Sequence, residues 1–252
     1  MKSRGPQWYK ENWTLDIKQQ SWVEDTENQV DFLIRTLNLK GHERILDLAC
    51  GYGRHALSLS ARGFEVVGVD ITRDYIDDAI ASAESLSLSA QFLCADIRRL
   101  SYCDEFDVVL NLADGAIGYL ENDEENLKIF DVAARALKRG GRHFIDVCDA
   151  DHADAYFPKR HWEVGNQALA LAQFDWNKDT RRMLYGGADI PFGEIALPPQ
   201  AFVGDPIRLY SRAELEAIYA ERGMQIIDTF GDWTGAQKTV HALQLLLVAQ
   251  KL

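Results

Sequence analysis

The sequence predicts an α/β protein with a doubly wound, mostly parallel, seven-stranded sheet, an antiparallel last strand and an inserted lid. The first observation is that five short apolar runs alternate with helical patterns over the first 150 residues. Strands that are apolar on both faces indicate a parallel sheet covered by helices on both sides. The second observation is that the last two apolar runs, 224–230 and 242–250, are connected without a helix. Because a parallel crossover normally contains a helix, we expect these two strands to run antiparallel to each other.

The five parallel strands are predicted from apolar runs that glycine or polar turns bound. They span Arg44–Leu48, Phe64–Asp70, Gln91–Ala95, Phe106–Leu112 and Arg142–Val147, the last one entered through a turn at Gly140-Gly141. Helical periodicity predicts the helices between them, at Arg54–Arg62, from Thr72 to about Leu86 and at Asn122–Leu137. Two further helices are expected at capping-box spacings, Thr26-x-x-Gln29 and Ser211-x-x-Glu214.

The pattern divides the chain into four segments. Residues 1–40 are predicted to be an N-terminal helical segment or flap, 41–150 the α/β core, 151–209 an inserted β-rich lid and 210–252 the C-terminal helix and closing hairpin. The lid segment holds all but one of the prolines, and Ala168–Trp176 and Arg182–Ile190 indicate an antiparallel hairpin within it. It is too short to bury much core, so we interpret it as a lid on the substrate side rather than an independent domain.

Composition and charge exclude several classes of partner. The net charge of −12, without a basic patch, disfavours nucleic acid, because an acidic surface repels phosphate. No apolar segment is long enough to span a bilayer, and the N-terminus lacks the apolar core of a signal peptide, which predicts a cytoplasmic protein. The four cysteines show no Cys-x-x-Cys spacing, so we expect reduced thiols and no metal site. We expect a small-molecule substrate, and a monomer or homodimer.

A glycine turn directly after the first strand indicates a ligand site. Residues 46–57 read LDLACGYGRHAL, so the stretch from Gly51 matches the dinucleotide pattern G-x-G-x-x-G/A, with Asp70 at the end of the next strand. Glycines let the backbone approach a ligand, and an acid at the second strand's end accepts hydrogen bonds from ribose hydroxyls. Asp47, inside the turn, would crowd a pyrophosphate but suits a ligand that carries an ammonium or sulfonium group. A tight turn with no ligand is the structural alternative.

Residues 45–70, ILDLACGYGRHALSLSARGFEVVGVD, resemble the first two motifs of the class I S-adenosylmethionine-dependent methyltransferase family, of the bacterial small-molecule type. CADI at 94–97 is similar to the third motif, FDVVLNL at 106–112 to the fourth, and the closing helix and hairpin to the usual C-terminal end. The resemblance covers most of the chain but weakens in the lid and over the first 20 residues. It implies a Rossmann-like methyltransferase fold, S-adenosyl-L-methionine as the cofactor and methyl transfer as the reaction.

The resemblance also implies which residues bind the cofactor. The glycine turn lies under the methionine half, Asp70 binds the ribose with Ile71 beside the adenine, and Asp96 accepts from the adenine amino group while Ile97 packs on its ring. The fourth strand ends where the methyl group faces the substrate. The implied contacts are Asp47, Ala49, Gly51, Tyr52, Gly53, Asp70, Ile71, Asp96, Ile97, Asn111 and Leu112. A helix cap is the structural alternative for Asp70, and a turn residue for Asp96.

Catalysis by methyl transfer depends mainly on alignment of nucleophile, methyl and sulfur, so no strong catalytic motif is required, and none is present. The candidate catalytic residues are Asp114, Tyr119 and His161. Asp114 follows the fourth strand, where it would hold or deprotonate an acceptor. Tyr119 would form part of the wall around the acceptor. His161 lies near the start of the lid segment, beside Trp162. The structural alternatives are a turn former for Asp114, a core residue for Tyr119 and a surface residue for His161. Asp149, after the fifth strand, is a further candidate or a helix cap.

Two further points remain open from the sequence. The N-terminal aromatic residues, which are Trp8, Tyr9, Trp13 and Trp22, form either a flap over the cofactor or a helix packed on the sheet. The leading hypothesis is a methyltransferase that acts on a nitrogen or oxygen of a small molecule. The alternatives are an NAD(P)-dependent oxidoreductase, against which the absence of a Tyr-x-x-x-Lys pair counts, and a non-catalytic S-adenosylmethionine-binding module.

Overall fold

The computed structural model describes residues 1–11, 13–20, 23–164, 168–193 and 203–252. The α-helices of this described part are α1 (Thr26–Thr36), α2 (Arg54–Ala61), α3 (Arg73–Ser85), α4 (Asp123–Ala136), α5 (Ala150–Tyr156) and α6 (Arg212–Ala220). The strands are β1 (Lys2–Ser3), β2 (Arg44–Leu48), β3 (Glu65–Asp70), β4 (Gln91–Cys94), β5 (Phe106–Asn111), β6 (Leu137–Cys148), β7 (Lys159–Val164), β8 (Ala168–Asn177), β9 (Arg182–Pro191), β10 (Val203–Arg208), β11 (Met224–Phe230) and β12 (Gln244–Lys251).

The larger sheet has seven strands in the order β11-β12-β6-β5-β2-β3-β4. The pairs from β6 to β4 are parallel, whereas β12 runs antiparallel to both β6 and β11. The doubly wound sheet and its antiparallel last strand are therefore confirmed. The chain leaves β2 toward β3 and β4 and returns to the other side of β2 with β5. Such a reversal of strand order opens a crevice at the carboxyl ends of the strands, where ligands bind in open α/β sheets.

Alternate side chains of the central strands enter two apolar clusters, one on each face of this sheet. In β2, Ile45 joins the cluster that includes side chains of α1 and α2, and Leu46 joins the cluster that includes side chains of α4 and α6. Each fully buried aliphatic side chain contributes about 1.5–3 kcal/mol. Helices on both faces therefore hold the carboxyl ends of the strands in a rigid arrangement, as the doubly apolar strands predict.

The smaller sheet has five strands in the order β1-β10-β9-β8-β7. The predicted hairpin is confirmed, because Ala168 pairs with Pro191 and Asn177 with Arg182 along the antiparallel strands β8 and β9. The segment predicted as a β-rich lid begins with a helix, α5, and its sheet also takes up the N-terminal strand β1. The sequence contains no pattern for the two-residue strand β1, because its register is set by pairing with the distant strand β10, at Lys2–Val203.

The helix starts follow the local chemistry in most places. At α6 the Ser211 side chain accepts from the Glu214 amide and Glu214 accepts from the Ser211 amide, so this capping box is confirmed. The box predicted at Thr26 is wrong. The N-cap of α1 is Asp25 without a side-chain cap, and the Gln29 side chain accepts a hydrogen bond from Arg54 instead. No helix in the described ranges combines the length and the apolar character that crossing a bilayer requires.

The connection from α4 to β6 also differs from the prediction. We expected the helix to continue to Leu137 and Gly140-Gly141 to form a turn, but α4 ends at Ala136 and β6 begins at Leu137. Leu137 pairs with Phe106, and the register then shifts before Val108 pairs with Arg142. The glycine pair therefore lies inside β6, at the irregularity in its pairing with β5. Glycine is frequent at such irregularities in strands.

Gly118 joins the loop after β5 to the smaller sheet. Its φ is +86°, its carbonyl accepts from the Arg208 amide at 2.8 Å, and a Cβ at this position would lie 2.0 Å from the Arg208 carbonyl oxygen. A side chain is therefore excluded both by the backbone conformation and by the close approach of β10.

We expect Gly118→Ala to lower the free energy of unfolding by about 2 kcal/mol or more, because backbone strain and the clash with Arg208 add. Gly63→Ala is the matched control, since Gly63 has a φ of +94° but no atom lies within 4 Å of the point that a Cβ would occupy. Gly63→Ala should lower the free energy of unfolding by only about 1 kcal/mol, because it introduces backbone strain without a clash. Urea unfolding of both variants measures the difference, and equal losses would contradict the close contact between loop and sheet.

Candidate active site

A cavity of about 640 Å³ lies at the carboxyl edge of the parallel strands, at the point where the strand order reverses beside β2. The ends of β2, β3 and β5, with the loops that follow them and β4, form one part of its wall. The N-terminal segment and strands β8–β10 of the smaller sheet contribute to the other part. Its size is in the range of small-molecule and cofactor sites.

The end of β2 brings a buried acid, Asp47, to this cavity, and the turn that follows brings backbone to it. Asp47 is 1% exposed and pairs in register with Gly68 and Leu110 on the neighbouring strands. Ala49 and Gly51 have φ values of +56° and +57°, so the chain turns sharply before α2 begins. Burial raises the pKa of Asp47 to about 7, and nearby Arg54 opposes this shift. Within the described residues, Asp47 Oδ2 has no hydrogen-bond partner. A buried carboxyl oxygen in this state favours a ligand that supplies a positive group.

Asp70 ties this turn to the end of β3. Its Oδ2 accepts from the Gly51 amide at 2.9 Å, and its Oδ1 accepts from the Thr72 amide at 2.8 Å. Burial raises its pKa, although these amide donors stabilise the charged form. Thr72 is the N-cap residue of α3. Asp70 is therefore not the N-cap that the structural alternative proposed, although it accepts from the N-cap amide, and it lines the cavity.

Asp96 and Ile97 reach the cavity from the end of β4. The Asp96 side chain accepts from the Arg98 amide, which caps a short 3-10 helix, and both its oxygens accept from the Arg98 guanidinium. Burial opposes ionisation, but the hydrogen bonds from Arg98 outweigh it and lower the pKa of Asp96. Arg98 in turn pairs with Glu121 and Glu125, so Asp96 is a fixed negative group at the cavity edge.

Asp114 lies in a left-handed turn after β5. Ala113, Asp114, Gly115 and Ala116 all have positive φ, a strained conformation for the residues other than glycine. The amides of Ala113 and Asp114 donate to Asp146, at its Oδ2 and its carbonyl oxygen respectively, which holds the turn on β6. Strain of this kind occurs at ligand sites, where packing and hydrogen bonds maintain it.

Two donors hold the Asp114 carboxyl group at the cavity. Tyr119 donates to Asp114 Oδ2 at 3.0 Å, and the Cys148 amide donates to Oδ1 at 3.3 Å. Burial raises the pKa of Asp114 to about 6, against these two donors. A carboxyl group with this pKa changes its charge near neutral pH, as a general base or an ion-pair partner requires.

Most of the predicted site residues meet at this cavity. It is lined by Asp47, Ala49, Gly51, Tyr52, Asp70, Ile71, Asp96, Ile97, Leu112, Asp114 and Tyr119. From the N-terminal segment, Trp8, Tyr9 and Trp13 line it too. Trp22, the fourth aromatic residue of the predicted flap, lies outside the described residues.

Three predicted residues lie elsewhere. Gly53 is the N-cap residue of α2. A Cβ at this position would lie 2.6 Å from the Phe92 ring, so the absence of a side chain allows close packing. Asn111 is fully buried, with its amide group bonded to His143 and to the Gly115 carbonyl. His161 is exposed on β7 and does not line the cavity, although Glu163 of the same strand does. None of these three residues lines the cavity, and their predicted roles toward a ligand stay predictions.

Two other candidates have structural roles. Asp149 is the N-cap of α5, as its structural alternative predicted. It also forms an ion pair with Lys238 at 2.6 Å, which was not predicted. Trp162 is largely exposed on β7.

The lining residues that sequence reasoning missed include Arg54, Asp146, Tyr185 and Asp205. Arg54 follows Gly53 directly at the start of α2, so its position beside the turn was a usable signal. Asp146 also lies in a predicted strand, one residue before its end. Tyr185 and Asp205 come from β9 and β10, where no motif is present, and only the packing of the smaller sheet brings them to the cavity.

Comparisons with known proteins agree with this architecture. Residues 45–141 match the family model described as a methyltransferase domain. The putative methyltransferase YqeM of Bacillus subtilis (strain 168) is 34% identical over 116 residues, which cover 46% of this chain and 46% of YqeM. The chain thus spans about half the length of the curated relatives it matches.

Two solved structures share the fold over nearly the whole chain. The CcbJ methyltransferase of Streptomyces caelestis superposes with a TM-score of 0.75 at 16% identity, covering 96% of this chain and 100% of that one. The 1,6-didemethyltoxoflavin-N1-methyltransferase of Burkholderia thailandensis, solved with 1,6-didemethyltoxoflavin and S-adenosylhomocysteine, superposes with a TM-score of 0.61 at 13% identity, covering 100% and 92%. The matched domain carries the glycine turn and the acids at the strand ends, and S-adenosylmethionine is the cofactor of such enzymes. Residues 45–141 are thus similar to the methyltransferase domain of S-adenosylmethionine-dependent enzymes, and the whole chain shares the fold of solved methyltransferases.

Proposed function

We propose that this protein transfers the methyl group of S-adenosylmethionine to a nitrogen or oxygen atom of a small-molecule acceptor. The observation that carries the proposal is the cavity beside β2, where the glycine turn, Asp70 and Asp96 converge. The cavity volume of about 640 Å³ suits a cofactor with a small acceptor rather than a macromolecule.

The residues at the turn fit the methionine half of the cofactor. Asp47 Oδ2 is buried and has no partner in the described part of the chain, and the cofactor carries both an ammonium and a sulfonium group. Arg54 lines the same wall and supplies a positive charge for a carboxylate. Bound there, S-adenosylmethionine supplies a methyl group that positive sulfur activates toward displacement.

The acids at the next two strand ends suit the nucleoside half. We assign Asp70 to the ribose hydroxyls, Asp96 to the adenine amino group, and the side chains of Ile71 and Ile97 to the faces of the ring. Asp70 accepts from two amides, and because two carboxylate oxygens offer about four acceptor positions, it can also accept from ribose hydroxyls. Asp96 already accepts four contacts from Arg98, so it would have to share these positions with the adenine amino group. Tyr52 and Leu112 complete this wall, whereas Gly53 and Asn111 support it from behind.

Asp114 is assigned to the acceptor. It lies after β5, where the wall turns from the cofactor side toward the smaller sheet, and Tyr119 orients its carboxyl group. The strained turn fixes its position before any ligand binds, and such preorganisation favours the alignment that methyl transfer requires. Exclusion of water is the role we assign to Trp8 and Trp13, which cover the same side.

Calorimetry with S-adenosylhomocysteine, followed by mass spectrometry of a small-molecule acceptor panel incubated with S-adenosylmethionine, tests the proposal. Binding with methyl transfer supports it. Binding without transfer to any acceptor favours the non-catalytic module, and fluorescence changes on titration with NADH, without S-adenosylhomocysteine binding, favour the oxidoreductase.

We expect Asp70→Asn to weaken S-adenosylhomocysteine binding by about 1–3 kcal/mol, because one charged acceptor is lost and the Gly51 turn is less firmly held. Calorimetry measures the effect. Asp74→Asn, an exposed acid in the first turn of α3, is the control and should bind like the wild type. Equal affinity of both variants would contradict the ribose assignment.

Affinity for S-adenosylhomocysteine should rise with pH. Burial raises the pKa of Asp47 to about 7 in the free protein, and a bound ammonium group would lower it. Below pH 7 the carboxyl group must lose a proton on binding, so affinity should increase roughly tenfold from pH 6 to pH 8 and then level off. In Asp47→Asn the binding should be weaker and this increase should disappear. An unchanged increase in the variant would assign it to another group, such as Asp146.

A further inference from the structure

We propose that the acceptor is an amine attached to an aromatic or other apolar body, and that its nitrogen is the atom that receives the methyl group. This inference rests on the proposed function and narrows its substrate class. It concerns the acceptor end of the cavity, which we define as the part lined by the N-terminal segment, by residues 112–120 and by strands β7–β10.

The lining of the acceptor end is acidic. Its lining includes Asp114, Asp205 and Glu163, and no lysine, arginine or histidine is among the described residues that line it. Asp205 forms an ion pair with Arg4, at 2.7 Å, from outside the lining. An anionic acceptor would therefore be repelled, whereas a cationic one gains from the surrounding carboxyl groups.

Asp114 and Asp205 line the same cavity, together with Tyr119 and Tyr185. Tyr119 and Tyr185 approach it from opposite segments, the loop after β5 and strand β9, and both Asp114 and Asp205 contribute to raising the pKa of each hydroxyl, after burial. Asp114 also keeps its carboxyl group at the junction with the cofactor side, through Tyr119 and the Cys148 amide. A nitrogen beside Asp114 would therefore lie in the cavity that Asp205 also lines.

Aromatic side chains also line this end. Trp8 and Tyr119 lie with ring centroids 4.8 Å apart, and Trp13 stacks on Tyr119 at 6.2 Å. Phe174 and Tyr185 provide a second pair at 5.3 Å. Aromatic faces attract cations and cover flat apolar groups, so acids together with these rings suit an amine on an apolar body.

The chemistry balances with the groups present. An acceptor that arrives as an ammonium ion gives one proton to the Asp114 carboxylate, which frees the nitrogen lone pair. That lone pair forms the bond to the methyl carbon while the carbon–sulfur bond breaks, and the sulfur retains the bonding electrons as a neutral thioether. The product is an N-methylammonium ion, and the proton on Asp114 passes to solvent after release.

Matched acceptor series test the inference. Tryptamine, tryptophol and indole-3-acetate, with 2-phenylethylamine, 2-phenylethanol and 3-phenylpropanoate, differ mainly in the polar group. Calorimetry on the protein saturated with S-adenosylhomocysteine measures their binding, and mass spectrometry with S-adenosylmethionine measures methyl transfer. We expect an amine of at least one series to bind about tenfold or more tightly than its alcohol and its acid, and to be methylated on nitrogen.

Variants distinguish the effect of the acids at the acceptor end from the effect of the protein's overall negative charge. Asp114→Asn should reduce the preference for the amine about tenfold, while Asp114→Glu should retain part of it. Asp205→Asn provides a second test outside the strained turn and should reduce it less, because Arg4 already offsets that charge. Asp179→Asn, an exposed acid of the β8–β9 hairpin, is the control and should behave like the wild type.

Each other outcome overturns the inference. If S-adenosylhomocysteine binds but the alcohols or acids bind as well as the amines, or no amine binds, the amine assignment fails while the proposed function stands. If S-adenosylhomocysteine itself does not bind, both fail.

Discussion

The hydrogen bonds that Asp70 accepts from Gly51 and Thr72 are the constraint on which the site depends. They join the turn after β2 to the end of β3 and to the start of α3, so three elements share one carboxyl group. This link supports the positive φ values at Ala49 and Gly51, together with the hydrogen bond from the Cys50 amide to the Val69 carbonyl. Asp70 therefore determines the shape of the wall as well as presenting an acceptor to a ligand.

Acidic groups with little compensation are the second common feature of the cavity. Burial raises the pKa of both Asp47 and Asp146 to about 7 and that of Asp114 to about 6. Holding several desolvated carboxyl groups together costs stability in the free protein, and a cationic ligand recovers part of it. The electrostatics of the free protein and the chemistry of a sulfonium cofactor with an amine acceptor are thus complementary.

The smaller sheet and the left-handed turn after β5 depend on each other. The Gly118 carbonyl accepts from the Arg208 amide of β10, and the Gly118 amide donates to the side-chain oxygen of Asn126 in α4. Strain at Ala113, Asp114 and Ala116 is maintained because these contacts and those of Asp146 outweigh it. The acceptor end is consequently built from both sheets, and its geometry follows from their packing.

The sequence by itself determined the alternation of strands and helices, the antiparallel last strand and the α6 capping box. It also determined the glycine turn after β2 and the acids Asp47 and Asp70 beside it. These features follow from apolar periodicity and from residues close together in the chain. Only the tertiary structure decided that Asn111 turns inward to His143, that His161 stays outside the cavity, and that Asp205 and Tyr185 line the same cavity as Asp114. Their positions depend on packing between segments about 30 to 90 residues apart, which no local pattern encodes.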